Sequence, residues 1–183
     1  MSQVNQVNKA YIGTFTGKKF FLLKPRLVDI DIRDIAHGLA MQCRWTGQCK
    51  HHYSIAQHCY YCSFLGPEAE ALDRLLHDGS EAYMGDMNRP LKHFTAAGPA
   101  YRRQEAVIQH LICRKFGISL TEPDSVHIAD QQLLTAEREQ LMNLNFTISD
   151  KWQTQAAAPV KIARWTPEKA ERMFLKRFRE LYK

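Results

Sequence analysis

The sequence predicts an all-α bundle preceded by a short β-hairpin. Three observations predict it. Beyond residue 30, apolar residues recur at helical spacing through most of the chain. Near the start, YIGTFTGKKFFLL instead sets aromatic and β-branched residues on either side of Thr16-Gly17. The composition, 45% hydrophobic and 24% charged over 183 residues, suits one globular domain spanning 1–183 with a core of its own.

The elements follow in order. The hairpin occupies 11–24 and Pro25 closes it. From Asp31, DIRDIAHGLAMQC places Ile32, Ile35, Ala36, Leu39 and Ala40 on one helical face. RWTGQCK, from Arg44 to Lys50, is a turn-rich break. Ser54 is a good N-cap for a helix reaching about Phe64, where Gly66-Pro67 stops it. A further helix is expected from Glu68 to Tyr83, with Gly85 and Pro90 interrupting the chain after it. Tyr101 to Phe116 is amphipathic and ends at Gly117. Glu122 to about Leu144 carries another helix, with Pro123 near its first turn. After a loop containing AAAP at 156–159, Pro167 opens a last helix over 167–181, with Phe174, Phe178 and Leu181 inward. The core of the domain is expected over about 27–145.

Charge and cysteines narrow the function classes. A net charge of +6 suits an anionic partner without naming one. The basic runs YRRQE and KRFRE read as solvated helix faces. Aromatics do not interleave with them, and no helix-turn-helix or zinc-finger signature appears, so no stable nucleic-acid partner is expected. The apolar runs are too short to span a membrane, and the polar N-terminus is not a secretory signal. Five cysteines without zinc-ribbon spacing read as reduced thiols of a cytoplasmic protein. Cys59 and Cys62 form a CxxC read as helix packing.

Four polar residues lie in apolar helical surroundings: His58, the pair His77-Asp78, and Asp130. Buried polar groups of this kind need partners. Hydrogen bonding within the core is one solution. Metal coordination is another, and two imidazoles with two carboxylates suit a divalent first-row ion or Mg²⁺. Glu81 follows His77 by one helical turn and is expected on the same face.

The segments around these residues resemble the HD-domain metal-dependent phosphohydrolase superfamily. SIAQHCYY at 54–61 is similar to its first-histidine helix. LLHDGSEAYMGDMNRPLK at 75–92 is similar to its His-Asp helix and following turn, and HIADQQLLTAERE at 127–139 to the helix bearing its last aspartate. The resemblance covers about 11–145. It is nearest to the small bacterial and phage 5′-deoxyribonucleotidase-like branch, which includes phage deoxynucleoside triphosphohydrolases. It implies an HD-domain bundle in which His58, His77, Asp78 and Asp130 hold one divalent ion (Mn, Co, Mg, Fe, Ni or Zn). Asp78 and Glu81 are the implied catalytic residues, with Glu81 acting on the attacking water. Arg44 is implied to bind phosphate, Trp45 and Asp86 to meet the sugar, and Lys92 to add a phosphate contact. Gln48 and His52 are expected at the pocket mouth. His51 and His52 are alternatives to His58 as first ligand.

The implied activity is release of phosphate from deoxynucleoside 5′-monophosphates. Release of triphosphate from dNTPs is the alternative. A non-catalytic nucleotide-binding module is a third reading. The resemblance also implies a homo-oligomer, dimer or higher.

Overall fold

The computed structural model describes residues 9–144 and 155–183, which are mostly helical with one two-stranded antiparallel hairpin. Strands β1 (Tyr11–Gly13) and β2 (Lys19–Phe21) pair with Tyr11 opposite Phe21 and Ile12 opposite Phe20. Gly17, at φ 81°, supplies the left-handed turn conformation. The hairpin is tied down at its tip. Asp34 accepts from the Thr16 N–H at 2.7 Å and from its hydroxyl at 2.9 Å.

Helix α1 (Ile32–Met41) begins at Asp31, whose carboxylate accepts from the Arg33 N–H. It buries Ile35, Ala36, Leu39 and Ala40, as its periodicity predicts. Helix α2 (Ile55–Cys62) is capped by Ser54, which accepts from the Gln57 N–H at 3.1 Å. Ile55, Ala56, Gln57, His58, Cys59 and Cys62 are all buried, so α2 runs through the interior.

The continuous helix expected from Glu68 to Tyr83 is broken. A 3₁₀ turn (Glu68–Glu70) leads into α3 (Ala71–Leu76), and α4 (Glu81–Met84) follows a tight turn at 77–80. The cause is Gln109 from a neighbouring helix. Its amide donates to the Leu76 carbonyl at 2.8 Å and accepts from the Ser80 N–H at 3.1 Å. Those two groups would otherwise form the i→i+4 bond across this segment, and an inserted side chain is a recognised cause of a helix break. The turn closes instead with i→i+3 bonds, Gly79 N–H to Leu76 and Glu81 N–H to Asp78. His77 and Glu81 therefore do not share a regular helical face.

Gly85 ends α4 with φ 80°, but Pro90 does not interrupt. It lies in the first turn of a short helix the sequence did not suggest, α5 (Arg89–Phe94), capped by Asn88. Helix α6 (Gly98–Phe116) starts earlier than Tyr101 because Pro99 opens its first turn, and ends as expected at a left-handed Gly117. Helix α7 (Asp124–Leu141) is shorter at both ends than 122–144, and Pro123 is its N-cap, next to the first turn. Helix α8 (Pro167–Leu181) starts at Thr166, whose hydroxyl accepts from the Lys169 N–H.

Two apolar clusters flank α2. One joins α1, α2, α3 and α8 around Leu39, Ile55, Leu75 and Phe174. The other joins α2 to α7 around Tyr53, Ala129, Leu133 and Ala136. Helix α1 meets α4 closely at Gly38, where an added Cβ would stand 2.8 Å from the Ala82 carbonyl oxygen. The basic runs are not simply solvated. Arg177 of KRFRE is buried, bonding Ser63 and Glu68 and lying over the Phe64 ring. In YRRQE, Tyr101 donates to the Gly85 carbonyl and Arg102 to the Lys92 carbonyl. Among the described residues no helix is long and apolar enough to cross a membrane.

Candidate metal centre and pocket

His58 and His77 come from α2 and from the turn after α3, and each ring has its Nδ1 committed. The Nδ1 of His77 donates to the Arg74 carbonyl at 2.8 Å. Arg74 is itself fully buried, donating to the Cys62 carbonyl and the Ser125 hydroxyl, so α2, α3 and α7 all fix its position. The Nδ1 of His58 lies 2.6 Å from Glu137 Oε1, inside a fully buried pair. In the neutral ring, a proton on Nδ1 leaves the lone pair on Nε2, the tautomer that ligates metals. Nε2 of His77 is buried and has no hydrogen-bond partner.

Both Nε2 atoms face carboxylates. His58 Nε2 is 3.2 Å from Asp130 Oδ1 and 3.8 Å from Asp78 Oδ2, while His77 Nε2 is 3.3 Å from Asp78 Oδ2. Adjacent donors around an ion with ~2.1 Å bonds at right angles stand ~3.0 Å apart. The His58–Asp130 and His77–Asp78 separations are close to that, and the His58–Asp78 separation is longer. Thiols adjoin the same atoms: His58, Cys62 and His77 form one group able to hold a metal, and Cys59, His77 and Asp78 another.

Burial and charge set the protonation of this cluster. Burial opposes charge on His58, as does Arg44, yet the Cys62 sulfur, Glu137 and Asp130 outweigh them and raise its pKa well above the ordinary value. Burial would raise Asp130, but the His58 hydrogen bond and charge, with Arg44, hold it far below the usual range. Glu137 is likewise held low against its burial by Arg44 and His58. Glu81 behaves oppositely. Burial, then Asp78 and Asp86, push its carboxyl well up, and its Oε2 is buried without a partner.

The carboxylates open onto a pocket of about 510 Å³ whose lining includes Asp78, Asp130, Glu81, Arg44, Trp45, Gln48, Asp86 and Lys92. This volume lies within the range of small-molecule sites, ~300–1,000 Å³. His93 also lines it, whereas His51 and His52 do not. The expectation for His52 at the mouth is thus corrected: its Nε2 turns to the Ala40 carbonyl at 3.3 Å. His77 borders a second cavity, of about 330 Å³, together with Gln109, His110 and Cys113.

Arg44 lines the pocket, but its guanidinium is turned toward the buried carboxylates. Its Nε donates to Glu137 at 3.2 Å and its Nη1 to Asp78 at 3.5 Å, with Nη2 4.0 Å from Asp130. Trp45 also reaches Glu137, donating from Nε1 at 3.1 Å. Trp45 and Thr46 both have positive φ, 58° and 54°. Non-glycine residues there carry strain of ~1–3 kcal/mol each, which surrounding bonds must over-determine. Gly47 N–H to Arg44, Gln48 N–H to Trp45 and the indole bond to Glu137 do so. Lys92 is paired with Glu105 at 2.7 Å. The Asp86 N–H donates to Gln42 Oε1 at 3.0 Å, placing the turn after α4 against the end of α1.

Glu137 is the residue the sequence did not single out. It lies seven residues after Asp130, two turns along α7 on the same face. That spacing is the signal that could have found it.

The chain matches no protein-family model. It is 35% identical over 176 residues to the uncharacterized protein YfdR of Escherichia coli strain K12, across 94% of this chain and 96% of that protein. The chain belongs to the YfdR family. It is also 30% identical over 158 residues to an uncharacterized protein of Rhodobacter capsulatus, covering 79% of this chain and 80% of that one. The first match thus spans nearly the whole of this YfdR-type chain.

Proposed function

We propose that this chain is an HD-domain metal-dependent phosphohydrolase acting on deoxynucleoside 5′-monophosphates. One observation carries the reading. Two imidazoles with Nδ1 committed elsewhere turn Nε2 toward two carboxylates that line an open pocket also bordered by Arg44 and Lys92. His58, His77, Asp78 and Asp130 would hold the ion. When bound, a divalent ion supplies Lewis acidity toward a phosphate oxygen and lowers the pKa of a coordinated water.

The chain's own residues do the rest. Glu81 takes or positions the water's proton; its raised pKa brings a carboxyl toward the range in which acid–base transfer at neutral pH is efficient. Arg44 offers planar paired donors to a phosphate, already held beside the ligand carboxylates. Lys92 adds charge once shared with Glu105. Trp45 and Asp86 border the same pocket and would meet the sugar.

The triphosphate reading draws on Arg89, a further basic group on the pocket lining. A panel of deoxynucleoside mono- and triphosphates with Mn²⁺, Co²⁺ or Mg²⁺ tests both. Inorganic phosphate from a monophosphate supports the first, and inorganic triphosphate from a dNTP the second. Undiminished turnover by Asp78→Ala, or by metal-stripped protein, would overturn the mechanism.

A further inference from the structure

Two donor sets share the same pair of imidazoles. One is completed by carboxylates, the other by sulfur. His58 and Cys62 are four residues apart on α2, one turn of the helix, so their side chains lie on the same face. Both are buried, and Cys62 Sγ stands 3.5 Å from His58 Nε2. A tetrahedral ion with bonds of ~2.3 Å to sulfur and ~2.05 Å to nitrogen separates those donors by ~3.5 Å. One donor atom from each of His58, Cys62 and His77 falls within 4.8 Å of the others. The third member is independently marked. His77 has a side chain 9% exposed, and its Nε2 is buried with no hydrogen-bond partner.

We propose that Cys62 is a metal-ligating residue of this cleft, used with His58 and His77 by thiophilic divalent ions such as Zn²⁺, Co²⁺ and Cd²⁺. Hard ions, Mg²⁺ and Mn²⁺, rely on Asp78 and Asp130 instead, because carboxylates suit hard cations and thiolates soft ones. On binding, the sulfur–metal bond replaces the S–H bond and the proton passes to buffer. Cys59 is the rival thiol, grouped with His77 and Asp78 rather than with His58. Its thiol faces Asp78 Oδ2 at 4.0 Å and it is not a turn away from His58. The inference rests on the metal-site reading above, but it concerns which ion the cleft prefers rather than what is hydrolysed.

The test uses the full chain, stripped of metal and kept reduced, titrated with Co²⁺ and followed by absorption. The expected result is a near-ultraviolet sulfur-to-cobalt charge-transfer band that is lost in Cys62→Ser and kept in Cys59→Ser. Mn²⁺ affinity, read by electron paramagnetic resonance, should be the same in all three proteins. Cadmium NMR of the wild-type protein gives a second readout that needs no variant: a strongly deshielded resonance shows thiolate ligation. Bound Co²⁺ and Cd²⁺ with no sulfur signature overturn the role of Cys62 and leave the metal site standing. A band lost only in Cys59→Ser also overturns it. Failure of both Co²⁺ and Mn²⁺ to bind overturns this inference together with the metal site.

Discussion

Replacing Glu137 by Gln changes one atom pair and one charge at the most enclosed carboxylate of the site. The wild-type side chain accepts three hydrogen bonds, from His58 Nδ1 at 2.6 Å, Trp45 Nε1 at 3.1 Å and Arg44 Nε at 3.2 Å. A glutamine can serve only one side. With its carbonyl toward His58, its amide hydrogens face two other donors. With its carbonyl toward Arg44 and Trp45, its amide faces His58 Nδ1, which must then accept, and the ring proton moves to Nε2, the ligating atom. The first arrangement leaves buried donors unpaired, at ~1–3 kcal/mol for each. The second removes a ligand lone pair. Loss of such an outer partner lowers metal affinity by ~10–100-fold, or ~1.4–2.8 kcal/mol. The assay is calorimetric titration of metal-free protein with Mn²⁺, alongside thermal melting with and without the ion. Expected is a weaker Mn²⁺ affinity in that range and a lower melting temperature without metal. A variant that melts like wild type and binds Mn²⁺ with unchanged affinity would refute the role assigned to Glu137.

Three further outcomes are expected. Glu81→Gln should abolish phosphate release and stabilise the fold by about 0.5–2 kcal/mol, as relief of strained functional groups commonly does. Burial raises the folded-state pKa of Glu81, so wild-type stability falls as pH rises from the unfolded carboxylate value of ~4.3 through the raised folded value. The melting-temperature advantage of Glu81→Gln should therefore grow with pH over that window, and an advantage that shrinks would contradict it. Arg44→Ala should lower kcat/KM by ~10²–10³-fold, yet leave Mn²⁺ binding undiminished, since it removes a cation that contacts Asp78 and Glu137; steady-state kinetics and Mn²⁺ titration separate the two effects. Gly38→Ala should cost about 1–3 kcal/mol by forcing α1 from α4, as overpacking does, read as a lower urea midpoint with unchanged slope.

Local signals carried much of the fold into the sequence. Asp31, Ser54 and Thr166 cap the helices they precede, and Gly17, Gly85 and Gly117 mark the turns where chain direction changes. What stayed hidden depends on partners distant in sequence. The break after Leu76 is made by Gln109, thirty-three positions away from the carbonyl it occupies. Nothing between Glu68 and Tyr83 announces it except Gly79. Helix α5 was hidden because Pro90 reads equally as an interruption and as a first-turn residue; Asn88 decides. The burial of Arg177 was hidden because its partners, Ser63 and Glu68, come from the end of α2 and the turn that follows. At the site, the four candidate ligands were legible from their apolar surroundings, and the structure brings them together. The inward turn of Arg44 was not, because it answers to Glu137, a residue that in sequence looks like one more helix carboxylate.

The position of α8 has a bearing on how the protein is made. Every candidate ligand, from His58 to Asp130, leaves the ribosome before residues 167–181 do. Yet the side of α2 turned away from α7 packs on α8, with Phe174 wholly enclosed there. Until α8 docks, the part of α2 that it covers is open to water, and a helix of eight residues depends on tertiary packing to persist. Helix α8 thus supplies part of the packing that holds His58 and Cys62 in register. The proposed ion site would then be completed only after residues 167–181 have been made.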